Sequence, residues 1–282
     1  MTEQMKKTET IEDVILRHSQ RGMQVLRQFL PDDYCKQAAA KLLALPRGEI
    51  LLTTGFYVAG YAETDGPVGT YVLARALQKL GFAPCIVTDE FCRDFFEPTG
   101  IPVEYAAFDA AKPDFIHLLD THNPQAVISI ERCGVNIEGK YANMRGVSID
   151  EFTAPLDELV KLAKERGIAT FGVGDGGNEI GMGNLAKEIT ERLELAPCTV
   201  EVENLIIASV SNWGAYGLAA WLSKLHGEDL LADFDECRDF IARTVKVGSV
   251  DGVTHEFTCS VDGFDMVIEQ EIIDALHEKL RA

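Results

Sequence analysis

The strongest constraint on the fold is an alternation that runs from Glu49 to Gly227. Short apolar runs rich in β-branched residues, EILLTTGF (49–56), FAPCIVTD (82–89), PVEYAAF (102–108), PQAVISIERCG (124–134), IATFGVG (168–174) and ENLIIASVS (203–211), have the length and composition of strands. Between them lie PVGTYVLARALQKLG (67–81), DEFCRDFFEPTG (89–100), residues 113–123, TAPLDELVKLAKERG (153–167), NLAKEITERLEL (184–195) and, last, WGAYGLAAWLSKLHG (213–227), which read as helices. Pro67 suits a first helical turn, where its missing N–H costs nothing, and Gly81 suits a helix end. Strands alternating with helices predict an α/β fold, a mostly parallel, doubly wound, Rossmann-like sheet with helices on both faces. In such sheets, sites form in loops beyond the carboxyl ends of the strands.

The flanks extend this unit. Residues 1–46 read as a helical extension packed on it: Thr10 is placed to cap IEDVILRHSQRGMQVLRQFL, Pro31 interrupts the run, and DYCKQAAAKLLAL resumes it. After Gly227 come a helix over ADFDECRDFIARTVKVG, the stretch DGVTHEFTCSVDGFD and a terminal helix. No repeat, low-complexity tract or linker divides the 282 residues, so one α/β domain over 1–282 is expected.

Charge narrows the partners. A net charge of −19 argues against nucleic acid and against an anionic membrane surface, both of which call for basic patches. It leaves room for a small anionic substrate in a locally positive pocket. The N-terminus has neither a secretory nor a transit pattern, and no apolar run reaches the roughly 18 residues of a membrane helix. Seven scattered cysteines without a C-x-x-C pair point away from a zinc site or disulfide framework and towards a reducing, cytoplasmic setting. A homo-oligomer is left open.

Four strand-ends carry unusual polar chemistry: Glu63-Thr64-Asp65-Gly66, Glu131-Arg132-Cys133-Gly134 continuing to Asn143-Met144-Arg145, the run GVGDGGNEIGMG (172–183), and Ser211-Asn212-Trp213. A doubly wound sheet would gather all four at one edge. Gly172, Gly174 and Gly177 satisfy the G-x-G-x-x-G spacing of a dinucleotide loop. Yet the motif lies past mid-chain, Asp175 and Glu179 would repel a pyrophosphate, and residues 191–194, where an acidic ribose ligand is due, read as helix. G134-VNIE-GKY approximates a P-loop but puts Tyr141 where a small hydroxyl residue must hold Mg2+. The six histidines show no metal-like spacing, His117 and His122 fall at the wrong edge, and no G-x-S-x-G is present.

Carboxylates and an amide on a flexible turn suit a different tenant. Asp175 and Glu179 could ligate a hard cation, Mg2+ or Mn2+, or bind a substrate ammonium. The neighbouring glycines would turn backbone N–H groups towards an oxyanion. Arg132 and Arg145 are the natural carboxylate binders, unless they form structural ion pairs with Glu131 or Asp150. Trp213 is either pocket wall or core.

Taken together, ETDGPVGT (63–70), SIERCGVNIEGKYANMRG (129–146), GVGDGGNEIGMGN (172–184) and SNWGAYGLA (211–219) resemble the D-glutamate cyclase family, specifically its C-terminal-type domain, here read as standing alone. The resemblance covers roughly residues 45–270. In some eukaryotic members that domain is fused behind a hydro-lyase-like region and sent to mitochondria. The resemblance implies a lyase that converts D-glutamate to 5-oxo-D-proline and water. Its demands assign Asp175 or Glu179 as base or metal ligand and Glu131 as a second acid–base group. Arg132 and Arg145 would bind the carboxylates, and Gly176, Gly177 and Asn178 would donate to the oxyanion. Glu63 and Asp65 would complete a metal site or hold the ammonium, with Asn143, Asn212 and Trp213 as further substrate contacts. Two other readings stand beside it: a metal-assisted enzyme acting on another small carboxylate or phosphorylated metabolite, and a non-catalytic amino-acid-binding domain.

Overall fold

A computed structural model describes residues 9–193 and 195–281. Residues 1–8, where the expected helical extension begins, Glu194 in NLAKEITERLEL, and Ala282 lie outside the described residues. Six strands form the main sheet: β1 (Glu49–Thr53), β2 (Ala83–Thr88), β3 (Val103–Tyr105), β4 (Ala126–Ile130), β5 (Ala169–Gly174) and β6 (Asn204–Ile207). Every pairing is parallel, in the order β3-β2-β1-β4-β5-β6. The chain steps outward from β1 to β3, crosses back to β4, and steps outward the other way. Its direction reverses between β1 and β4, whose carboxyl ends therefore flank the crevice where such sheets hold ligands.

The helices follow from the same pattern. Before the sheet come α1 (Ile11–Ile15), α2 (Met23–Leu26) and α3 (Tyr34–Ala44); α4 (Pro67–Lys79) joins β1 to β2, α5 (Lys112–His122) joins β3 to β4, and α6 (Leu156–Glu165) joins β4 to β5. The chain ends with α7 (Ala186–Leu193), α8 (Ser211–His226), α9 (Phe234–Lys246) and α10 (Met266–Arg281). Right-handed crossovers leaving the centre in opposite directions put α4 and α6 on opposite faces. On the α4 face, α8 packs against α1, α3, α4 and α10, while α5 packs against α6. α6 shows why: Leu156, Leu159, Val160 and Ala163 are buried along one stripe, and Lys164 and Glu165 face water. Over residues 211–220 α8 has neighbours all round, so Trp213, Tyr216, Leu218 and Ala220 are all fully buried, whereas Lys224 and Leu225 near its end are exposed. Gly217 lets α1 approach it, because a Cβ there would come within 2.7 Å of Ile15 Cγ2.

Two expected elements differ. The helix expected over residues 11–30 stops at Ile15, although Thr10 caps it as anticipated: its Oγ1 accepts from Asp13 N at 3.1 Å, and Asp13 accepts in return from Thr10 N at 2.9 Å. The stretch RHSQRG (17–22) contains no apolar residue to bury. It turns through positive φ at His18 and Gly22 before α2 begins. The helix expected over 89–100 is two short 3-10 turns, Glu90–Cys92 and Glu97–Thr99, split by positive φ at Asp94. Among the described residues no helix is long and apolar enough to cross a membrane.

Candidate active site

The four polar strand-ends do meet beyond the carboxyl edge, around the crevice between β1 and β4. Leaving β4, Glu131 takes a positive φ of 46°, a costly conformation for a residue with a side chain. Its Oε2 accepts a 2.5 Å hydrogen bond from Ser211 Oγ at the start of α8. Asp65 sits at that same helix start: Oδ1 accepts from Asn212 N at 2.7 Å and Gly66 N at 2.9 Å, and Oδ2 from Ser211 N at 2.9 Å. The unpaired N–H groups and positive dipole end of α8 favour a carboxylate there. Asp175 follows β5. One carboxylate oxygen from each of Asp65, Glu131 and Asp175 lies within 4.8 Å of the others, and all three residues are buried.

Two residues unremarked in the sequence complete the cluster. Arg21, in the turn that breaks the N-terminal helix, donates through Nη1 to Asp175 Oδ1 at 2.6 Å and through Nη2 to Asp262 Oδ1 at 2.5 Å. Asp262 lies in the two-residue turn of a small hairpin, Ser260–Val261 with Phe264–Asp265. Glu63 is buried beside them, against Gly252, where a Cβ would collide with Glu63 Oε2. Among the described residues, Arg21 is the one cation ion-paired with these carboxylates. Asp175 and Asp262 each keep a buried Oδ2 with no partner.

Crowding so many acids out of water shifts their titration. Burial, then Asp262 and Asp65, pushes Glu63 well above the usual carboxylate range. Burial, then Asp175 and Glu179, does the same to Glu131, and burial, then Asp175, to Asp262. Asp65 is pushed up to about 7 by burial and Asp262, against the Asn212 and Ser211 amides. Asp175 is pushed up to about 8, chiefly by burial, with Arg21 pulling the other way. Burial would lower the Arg21 pKa, but Asp175 and Asp262 outweigh it and hold the guanidinium charged. Hard oxygen donors, three of them convergent and one with an orphaned oxygen, fit a cation such as Mg2+ or Mn2+.

A cavity of about 430 Å³ opens onto this cluster. Arg21, Glu63, Glu131 and Glu179 line it, together with Phe56, Tyr57, Met144, Ile149 and Phe152. Asn143, Asn178 and the exposed Arg145 line it as well. Asn143 Oδ1 also accepts from Arg145 N and Val147 N, so it shapes its own loop, while Asn178 Nδ2 ties the glycine turn to Ala142 O.

Several expected contacts are placed elsewhere. Arg132 is buried away from the cavity. It pairs with Asp89 at 2.5 Å and donates to the carbonyls of Gly55 and Ala154, so a structural partner takes the charge intended for a substrate carboxylate. The amides of Gly176 and Gly177 do not face an open oxyanion position: they donate to Glu179 Oε1 and Oε2 at 2.6 and 2.7 Å. The glycines of GVGDGGNEIGMG let the turn wrap around its own Glu179, and a Cβ on Gly172 would come within 2.7 Å of Ile180 O. Glu179 itself does not belong to the convergent triad. Asn212 is buried, with Oδ1 accepting from Gly66 N and Gly69 N and Nδ2 donating to Thr64 O. Trp213 is core: its Nε1 donates to the buried Glu269 at 2.6 Å.

A family model described as "D-glutamate cyclase-like, C-terminal" matches residues 11–277. The chain belongs to that family. Human mitochondrial D-glutamate cyclase is 34% identical over 202 residues, which cover 63% of this chain and 33% of that protein. The match thus spans about a third of the length of that curated relative. Solved structures give slighter likenesses. UDP-glucose 4-epimerase from Brucella ovis with NAD is 10% identical over 52% of this chain and 49% of its own, with a TM-score of 0.31. E. coli tRNA N6-threonylcarbamoyladenosine dehydratase with ATP is 11% identical over 72% and 93%, with a TM-score of 0.29. Likenesses that slight say nothing of ligand or reaction.

Proposed function

We propose that this chain is a carbon–oxygen lyase that closes D-glutamate to 5-oxo-D-proline with loss of water, working as a single α/β domain. What carries the reading is the gathering of Glu63, Asp65, Glu131, Asp175 and Asp262 with Arg21 beside one cavity, in a chain of this family. In the reaction the α-nitrogen bonds to the γ-carboxyl carbon and a carbon–oxygen bond of that carboxyl breaks. The two protons given up by the ammonium are those the departing oxygen needs to leave as water. Holding the chain folded makes the ring closure intramolecular.

Glu63 is assigned to the proton transfer, because it lines the cavity and burial holds its carboxyl well above the usual range. Asp65, Glu131 and Asp175 are the residues that would hold a divalent cation. Bound Mg2+ or Mn2+ would supply Lewis-acid neutralisation of the attacked carboxylate. Arg145, exposed at the cavity, is assigned to the other carboxylate, and Glu179 to holding the glycine turn. A site with this excess of acid would repel a dicarboxylate unless a cation offset it, which favours a metal-dependent reaction.

The test is incubation of the purified protein with D-glutamate, L-glutamate and 5-oxo-D-proline, in EDTA and in Mn2+. The expected result is 5-oxo-D-proline from the D-isomer alone, lost in EDTA and restored by Mn2+. No product from either glutamate under any condition would refute the reading.

A further inference from the structure

Arg21 enters the acid cluster from outside the α/β alternation, on a stretch of backbone with few main-chain ties. Among the described residues, the amides of Ser19, Gln20 and Arg21 make no main-chain hydrogen bond. Side chains hold the turn instead: Arg17 pairs with Glu271 at 3.0 Å, His18 Nε2 lies 3.2 Å from the same carboxylate, and Arg21 spans Asp175 and Asp262. Its two prongs are unequal in their surroundings. Asp262 belongs to the hairpin wall, whereas Asp175 is shared with the convergent triad.

We propose that Arg21 is a tethered counter-cation: its guanidinium and a divalent ion held by Asp65, Glu131 and Asp175 compete for Asp175, so that binding of the ion releases that prong while the other stays on Asp262. The inference rests on the cation site assigned above. Asp175 Oδ1 is committed to Arg21, so an ion drawing on the same carboxylate together with Asp65 and Glu131 would meet a fixed positive charge across it. Asp175 is buried and Arg21 half-buried, so solvent screens the contest for this carboxylate only in part. An opposite charge within ~4–6 Å changes proton affinity by about 10- to 1000-fold, and a divalent ion feels at least as much.

Calorimetric Mn2+ titration of the wild type, Arg21→Gln and Asp65→Asn tests this. Arg21→Gln is expected to bind Mn2+ about tenfold tighter or more, and Asp65→Asn to lose binding. If the wild type binds, Asp65→Asn does not, and Arg21→Gln matches or falls below the wild type, the cation site stands and the counter-cation is overturned. If neither the wild type nor Arg21→Gln binds Mn2+, both fall together. Should Arg21→Gln fail to fold, Arg21→Lys decides. It keeps a charge but cannot span two carboxylates with a planar fork, so it should bind Mn2+ tighter than wild type by a smaller factor. Equal or weaker binding overturns the proposal.

Discussion

Replacing Asp251 by Asn should loosen one whole wall of the site. Asp251 is fully buried and organises the loop that follows it: Oδ1 accepts from Val253 N at 2.9 Å and Thr254 N at 2.8 Å, and Oδ2 from Ser260 Oγ at 2.7 Å and Gly263 N at 2.8 Å. That loop carries Gly252, which packs on Glu63, and Asp262, which holds Arg21. An asparagine keeps one acceptor oxygen and turns an NH2 towards the other two donors. Hydrogen bonds to a charged group contribute about 1.5–3 kcal/mol each. Losing two, with some screening from the solvent around Val253 and Thr254, predicts a loss of about 2–4 kcal/mol. Burial would raise the Asp251 pKa, but the Thr254, Ser260, Gly263 and Val253 donors win and hold it below the ordinary 3.8. A depressed pKa means this contribution is complete above the unfolded value of about 4. It should vanish as pH falls through the lower folded value, so the wild type's advantage over Asp251→Asn shrinks below pH ~4. Urea unfolding gives the free energy, and amide exchange over residues 252–263 gives its location. A loss under ~0.5 kcal/mol with unchanged exchange would refute the reasoning, since that is what an ordinary surface substitution gives.

Two further substitutions probe the chemistry. Gly252→Ala places a methyl against Glu63 Oε2, and should cost about 1–3 kcal/mol of stability with at least a tenfold drop in kcat (on the order of 1.4 kcal/mol in the barrier); unchanged kinetics would count against Glu63 as the proton-transfer group. Asp175→Asn should abolish turnover and Mn2+ binding yet melt near the wild-type temperature in EDTA, because relief of one carboxylate in a crowded buried cluster offsets the loss of its pairing with Arg21, which keeps Asp262. Activity in that variant would remove Asp175 from the site.

The sheet was readable because its strands are short apolar runs set apart by helices, and the four polar strand-ends follow from parallel topology. The roles of individual side chains were less so. Arg132 and Asp89 sit 43 residues apart, and nothing local marks them as partners. Trp213 is core because the first part of α8, residues 211–220, is covered on every side, as its small residues hint. Arg21 and Asp262, 241 residues apart, come from opposite ends of the chain. Residues 11–30 have helical propensity nearly throughout, and only the wholly polar RHSQRG stretch signals the break that delivers Arg21. The Asp-Gly pair at 262–263 is an ordinary turn signal that says nothing of a neighbour at Asp175. GVGDGGNEIGMG suggested bare amides facing a ligand, but its own Glu179 satisfies them.

The carboxylates between β1, β4 and β5 are proposed to form a cation-binding reaction centre. Crystals soaked in Mn2+ and measured at the manganese absorption edge test it most directly. An anomalous peak bounded by Asp65, Glu131 and Asp175 is expected, with Arg21 turned away from Asp175. A map with no peak at that position, from protein that converts D-glutamate, would contradict it.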